Sequence, residues 1–463
     1  MLSPPPNAGI SSALRPVLGL RRGNTSALGL LVSLLGGVAL PLPAAAQDAF
    51  SAFNALPSVT PAPTIMRDVT QMSLDERIGV LQRPRPDFDP LGVRYGDFIL
   101  LPDVTSSIGG DSNLFTQNNA KKSDYSITSS AGFLIQSDLP TNALNVDLNY
   151  DNQRYLRYVS ENISDFGGSA TARLDISNLS YLTFSGGYQT QHEDRSSPDV
   201  TIQGLTPTAY HIATGRLGYA RTIRRIGLSM NVEADKYNFI NGLTLQHTPL
   251  INDFQNRLAL SMGPRLSYSF APEYSAYVEV KGNIQSYANN PDPSGFYHSS
   301  SGVAGYAGTD LRLTDVINGE LYLGYQQQDY QDHRLKSVSE PLFGVSAVWN
   351  LTGLTTLRFG AARTIEETIV PGVPAFLQTQ VEFGVEHELL ENVLLNGQVG
   401  EIDEGLVDSD HTDEYYDVVL GVRYLIDNHF NISMNYERNV ESAYTLANCF
   451  NRNRLNFKLH VQL

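Results

Sequence analysis

From Phe98 to its last residue the chain repeats one pattern. Stretches of about a dozen residues alternate apolar with polar side chains, and the connections between them are alternately short and long. Leu144-Asn145-Val146-Asp147-Leu148-Asn149-Tyr150-Asp151 shows the alternation most clearly, with Leu, Val, Leu and Tyr on one face and Asn and Asp on the other. A period of two puts successive side chains on opposite faces of a strand. A soluble sandwich alternates in the same way, so the period alone does not choose a fold. The connections do, because transmembrane barrels join their strands by tight turns at one end and longer loops at the other.

Each strand assigns its own faces. Leu258, Leu260, Met262, Leu266, Tyr268 and Phe270 oppose Ser261, Gly263, Arg265, Ser267 and Ser269. Phe430, Ile432, Met434 and Tyr436 oppose Asn431, Ser433, Asn435 and Glu437. In a barrel the first set meets lipid and the second a wet lumen. Leu455, Phe457, Leu459, Val461 and Leu463 carry the pattern to the end of the chain, although such barrels usually end on an aromatic residue.

The expected fold is therefore all-β: an antiparallel up-and-down transmembrane barrel of about eighteen strands over residues 97–463, preceded by a periplasmic extension. Short turns are expected near Leu139-Pro140-Thr141, Asn178-Leu179-Ser180, Ile223-Arg224-Arg225 and Ala271-Pro272-Glu273. Four more fall near Thr314-Asp315-Val316, Thr352-Gly353-Leu354, Leu390-Glu391-Asn392 and Ile426-Asp427-Asn428. Longer polar segments between them include Glu193–Pro207, Asn238–Asn252, Ala288–His298, Gln328–Glu340 and Asp403–Asp413. With a periplasmic N-terminus every short turn falls on the periplasmic side, every long loop outside, and the C-terminus returns to the periplasm. No apolar run of about twenty residues outside the N-terminus offers a spanning helix, and a barrel needs none, because neighbouring strands satisfy each other's backbone.

The first 46 residues read as a secretory signal. Arg15, Arg21 and Arg22 precede an apolar stretch from Ala27 to Leu40, and Pro41 through Ala46 gives a small-residue exit. Its removal takes three arginines and no acid, changing the formal charge from −16 to −19. Such a balance argues against nucleic acid as a partner. Cys449 is the single cysteine, so the chain has no internal disulfide. Residues 47–96 form a proline-rich leader in which Ser73-Leu74-Asp75-Glu76 fits a capping box, predicting a short helix from about Leu74 to Gln82. A periplasmic linker is the favoured reading of this leader, ahead of a plug or a partner-docking segment.

The run Arg83-Pro84-Arg85-Pro86-Asp87-Phe88-Asp89-Pro90-Leu91-Gly92-Val93-Arg94, continuing through Gly96-Asp97-Phe98 to Asn113-Leu114-Phe115, resembles the entrance of the β-barrel porin 2 family. That resemblance implies an outer-membrane barrel of a Gram-negative bacterium, without catalytic residues or cofactors to carry over. It also brings a context of exopolysaccharide export. Expected partners are outer-membrane lipid and lipopolysaccharide, the outer-membrane assembly machinery and, in the export context, periplasmic polysaccharide-export proteins.

Candidate functional residues are those on the inward face: Asp147, Arg173, Glu233, Asp235, Arg265, Glu279, Arg312, Glu320, Arg358, Glu382, Glu386 and Arg423. They would shape the field felt by a polar solute. The overall charge predicts a mild preference for cations in an open pore. Inward Tyr277, Tyr306 and Tyr322 offer either sugar-stacking surfaces or plain packing, with packing favoured. The acidic segment Asp403–Glu414 has oxygen ligands for Ca²⁺ but not the EF-hand spacing, so a solvated loop is favoured. His192 beside Glu193-Asp194, and His411 near Asp410 and Asp413, are the candidates for a hydrolase site, but no nucleophile motif accompanies either. The leading function is a porin-like channel for hydrophilic solutes, with a conduit or scaffold in polysaccharide export as the alternative and no enzyme expected.

Overall fold

A computed structural model describes residues 79–195, 204–314, 316–368, 370–407, 411–443 and 449–463, with the side chains of 312–314 left out. The signal segment, Ser73 and most of the expected leader helix lie outside the described residues. Eighteen long strands follow one another. They are β1 (Phe98–Asp111), β2 (Asp124–Ser137), β3 (Ala143–Tyr155), β4 (Ile163–Ser177), β5 (Ser180–His192) and β6 (Ala209–Ile223). Next come β7 (Ile226–Phe239), β8 (Arg257–Ala271), β9 (Tyr274–Tyr287), β10 (Ser300–Thr314), β11 (Ile317–Tyr330) and β12 (Val338–Thr352). The last six are β13 (Thr355–Glu366), β14 (Phe376–Leu390), β15 (Val393–Leu406), β16 (Thr412–Leu425), β17 (Phe430–Ser442) and β18 (Phe450–Gln462).

Every neighbouring pair is antiparallel, and β18 returns to β1 with a register running from Asp103↔Gln462 to Asp111↔Arg454. The sheet is therefore a closed barrel. Below the point where β18 ends, a short strand Val93–Tyr95 folds back on Phe98–Leu100 and fills the rest of that side of β1. The amide of Gly92 donates to the carbonyl of Leu463 at 3.0 Å, tying the start of the barrel to its finish.

Connections at one end are two to five residues long, and those at the other run from five to seventeen. All eight expected short turns are present. The long connections differ in extent: β11 and β12 continue to Tyr330 and from Val338, and β15 and β16 continue to Leu406 and from Thr412. Much of Gln328–Glu340 and Asp403–Asp413 is thus strand. The ladder extends because backbone pairing does not need apolar side chains, and strands of twelve to fifteen residues outrun the nine to eleven that span a bilayer.

The two faces are chemically distinct. Leu148, Val280, Leu323, Leu420 and Phe457 stand exposed on the outside of the wall. Toward the short-turn end this surface carries Tyr268, Phe270, Trp349, Tyr424 and Phe430, and toward the long-loop end Tyr125, Phe166, Tyr188, Tyr325 and Tyr416. An apolar band between two aromatic girdles is the surface a bilayer requires. Among the described residues no helix is long and apolar enough to cross a membrane.

Candidate functional site: the lumen wall and its two mouths

The inner face is identified by contacts that skip strands. Lys281 on β9 pairs with Glu233 on β7 at 3.3 Å, and the Tyr277 hydroxyl on β9 donates to Glu320 on β11 at 2.7 Å. Such reaches are natural on the concave side of a curved sheet. Strand register places Asp147, Arg173, Glu233, Asp235, Arg265, Glu279, Glu320, Arg358, Glu382, Glu386 and Arg423 on this face, with the Arg312 backbone opposite Asn318 at the same parity.

Most of these charges are answered. Arg265 donates to Glu279 at 2.8 Å, lies 3.6 Å from Glu320 and stacks 3.7 Å above the Tyr277 ring. Arg173 pairs with Asp175 at 2.8 Å and covers Tyr181. Arg358 is paired with Glu386, and Glu233 also accepts from Ser261 at 3.1 Å. The side chains of Asp147, Asp235, Glu382 and Arg423 make no hydrogen bond or ion pair with any described residue. Tyr277 and Tyr322 are buried, and Tyr306 meets the Tyr322 ring edge-on at 5.5 Å. With Arg265 on the face of Tyr277, these rings pack the wall and do not present a stacking surface.

The last strand holds what the sequence reading missed. Arg452, Arg454, Lys458 and His460 alternate with the apolar residues already recognised there, so the signal was the other half of the same period. Arg452 is buried between Asp111 across the seam, at 2.6 Å, and Asp194 at 2.9 Å. Arg454 pairs with Glu437 and reaches Asp194 at 3.6 Å. Arg452, Arg454, Asp194 and Glu437 border an internal cavity of about 380 Å³ toward the long-loop end, together with Asp151, Gln189 and Tyr415. Asp194 is thereby committed to arginines, and His192 bonds Asp165 at 2.6 Å. Among the described residues no group of three or more His, Cys, Asp and Glu is placed to hold a metal.

Both motif segments have structural work. At the short-turn mouth, the described part of the leader is docked on the inner wall and is not a free linker. Val80–Gln82 form one 3₁₀ turn, and Val80 packs fully buried with Leu394, Leu425, Leu81 and Phe88. The Val80 amide donates to Thr356 Oγ1 and the Leu81 amide to Glu386, each at 3.0 Å. Arg85 pairs with Glu388 at 2.8 Å and bonds the Val80 carbonyl at 2.9 Å. Asp89 accepts from the Arg85 amide, closing the turn that presents this side chain. At the other mouth, Asn113 is fully buried: its amide group donates to the carbonyls of Gln117 and Asn451, and its oxygen accepts from the Gln117 amide. Phe115 meets Tyr158 edge-on at 5.2 Å with Lys122 and Arg195 against its ring. Arg195 also makes two bonds to the buried Glu161, at 2.6 and 2.7 Å.

A closed barrel of this size, apolar outside and charged within, is an outer-membrane β-barrel of the porin class. The chain belongs to the putative beta-barrel porin 2 family, whose model matches residues 85–463. Among solved structures it is similar to OpdO of Pseudomonas aeruginosa, at 11% identity over 81% of this chain and 98% of that one, with a TM-score of 0.44. OpdK of the same organism matches at 11% identity over 79% and 99%, with a TM-score of 0.43. The siderophore receptor PirA of Acinetobacter baumannii matches at 8% identity over 78% and 80%, with a TM-score of 0.40. No curated protein matches the chain.

Proposed function

We propose that this protein is a passive outer-membrane channel for hydrophilic solutes in a Gram-negative bacterium. In this reading residues 1–46 are the export signal, the short turns and both barrel ends face the periplasm, and lipid and lipopolysaccharide surround the outer surface. The observation that carries it is the closed eighteen-strand wall with an apolar exterior and an interior of charged residues. An interior that wide leaves an aqueous passage rather than a packed core. Selection would rest on width and on the inward charges left unanswered, not on chemistry. The family match and the arginine pairs that occupy Asp194 support a non-enzymatic role. The export-conduit alternative draws no support from the family match or from the geometry.

The test is reconstitution of the mature chain into planar bilayers and into sugar-loaded liposomes. Stepwise ohmic conductance and osmotic swelling that slows with solute size are expected. A folded, heat-modifiable barrel that passes neither ions nor sugars would overturn the reading.

A further inference from the structure

Among the inward cations of the eighteen strands whose side chains are described, Arg257 stacks on the Tyr237 ring and bonds the Gln255 carbonyl, and the others divide into two groups. Arg173, Arg216, Arg265, Lys281, Arg358, Arg452 and Arg454 each lie against a carboxylate. The side chains of Arg423 and Lys458 make no hydrogen bond or ion pair with any described residue, and Arg423 Nε is shielded from solvent without an acceptor. The two are not scattered. Arg423 stands opposite Ser433, and Ser433 stands opposite Lys458, so the cations occupy one row on alternate strands of the inner wall. Two strand spacings separate their backbones by roughly 10 Å, a gap that two long side chains close over Ser433.

The nearby acids do not neutralise them. Glu437 acts on Lys458 from the neighbouring strand and Asp151 from β3, three strands along the wall, but Glu437 is engaged by Arg454, and Asp151 accepts from the Ser130 hydroxyl. The charge acting on Arg423 is a third cation, Arg85, which belongs to the docked leader and is itself held by Glu388. Placing like charges on one row without a counter-ion is costly unless something negative occupies the space between them.

We propose that Arg423 and Lys458 form an anion subsite on the lumen wall near the short-turn mouth, which takes a carboxylate or phosphate group of a passing solute. This rests on the channel reading above. The planar guanidinium of Arg423 supplies paired donors matched to either oxyanion, and Lys458 adds a mobile point charge. Ser433, between them, adds a hydroxyl.

The test uses the full mature chain, with potassium succinate, potassium phosphate and potassium chloride as the probes. In planar bilayers, succinate or phosphate at millimolar concentration should reduce chloride current in the native protein. Arg423→Gln with Lys458→Gln should weaken that block at least tenfold and shift the zero-current potential in a salt gradient toward cations. Lys236→Gln removes an outward-facing charge and should change neither. A double variant that behaves like Lys236→Gln overturns the subsite. Lys458→Gln alone serves if the double variant does not give a heat-modifiable barrel, with an intermediate loss of block expected and native block refuting the proposal. If no current flows at all, the channel reading fails by itself. Equilibrium dialysis of labelled succinate and phosphate against the detergent-solubilised protein then judges the subsite: saturable binding lost in the variant supports it, and absent or unchanged binding overturns it.

Discussion

Tyr322 lies across Gly344, the residue directly opposite it on the next strand, so closely that a Cβ at Gly344 would overlap the ring. Tyr277 over Gly308 and Tyr306 over Gly324 repeat the arrangement on the adjoining strands. Ring and missing side chain fill one volume, which makes this part of the wall smooth and tightly registered. Gly344→Ala should therefore destabilise the barrel by about 1–3 kcal/mol through overpacking, seen as a lower midpoint for loss of the compact form on gels. Made in a Tyr322→Ala background, the same change should cost clearly less, because the two residues share the space. Equal costs in both backgrounds would show that the pairing does not matter.

The docked leader should be separable from the barrel. Glu388→Ala removes the carboxylate that holds Arg85. A charge-assisted bond of this kind contributes about 1.5–3 kcal/mol, so amide exchange across residues 79–91 should rise by about tenfold to a hundredfold. Strand amides of β13 and β14 should keep their protection. Unchanged exchange at Val80 and Leu81 would mean that apolar packing under Val80 suffices.

Arg195 ties three outer connections together through Glu161, Phe115 and the Thr116 hydroxyl, which donates to the Arg195 carbonyl at 3.0 Å. Arg195→Ala leaves Glu161 buried without its partner, a loss of about 3–5 kcal/mol where no relaxation occurs. Exchange should increase in residues 112–123 and 156–162 while the barrel remains heat-modifiable. In bilayers, greater open-channel noise is expected. Native exchange in both loops would contradict the latch.

Acid should loosen the pair of outer connections 288–299 and 331–337. Burial works against the charge on Asp292. The amides of Phe296 and Ser294, at 2.8 Å, and the His298 ring, at 3.0 Å, outweigh it and hold the carboxyl below its usual range. Bonds from Arg334 hold Asp332 well below it too, and Asp332 accepts from the Tyr297 amide across the two loops. A depressed folded value means the stabilisation is complete above the unfolded value of about 3.9. It is lost as pH falls through the lower folded value. Protection factors in 288–299, taken against the intrinsic exchange rate at each pH, should thus be flat from pH 7 to about pH 5 and fall below about pH 4. Asp292→Asn should show the loosened behaviour at every pH.

The barrel was legible because its two signals, period and connection length, follow directly from the backbone. Leu148 and Asn149 must point opposite ways in any strand. The ends of the strands were less legible, since Gln328 and Asp403 look like loop residues yet continue a ladder indifferent to side-chain polarity. Face assignment was readable for Arg265 and Arg423 alike. Which of them is neutralised was not, because that depends on Glu279 standing opposite Arg265 and Ser433 opposite Arg423. Net charge could not show it either. The leader's proline-rich run was recognised as a motif, but its docking depends on Glu388 and Leu394, some three hundred residues away.

The return of Val93–Tyr95 onto β1 has a consequence for how other proteins can meet this one. Where β18 stops, β1 would present unpaired amides and carbonyls, the template on which a foreign strand adds itself. The folded-back segment occupies that template, so the β18–β1 seam has no open edge at this end. A partner that meets the barrel at this seam must therefore engage side chains, turns or the lumen itself, and cannot dock there by lengthening the sheet.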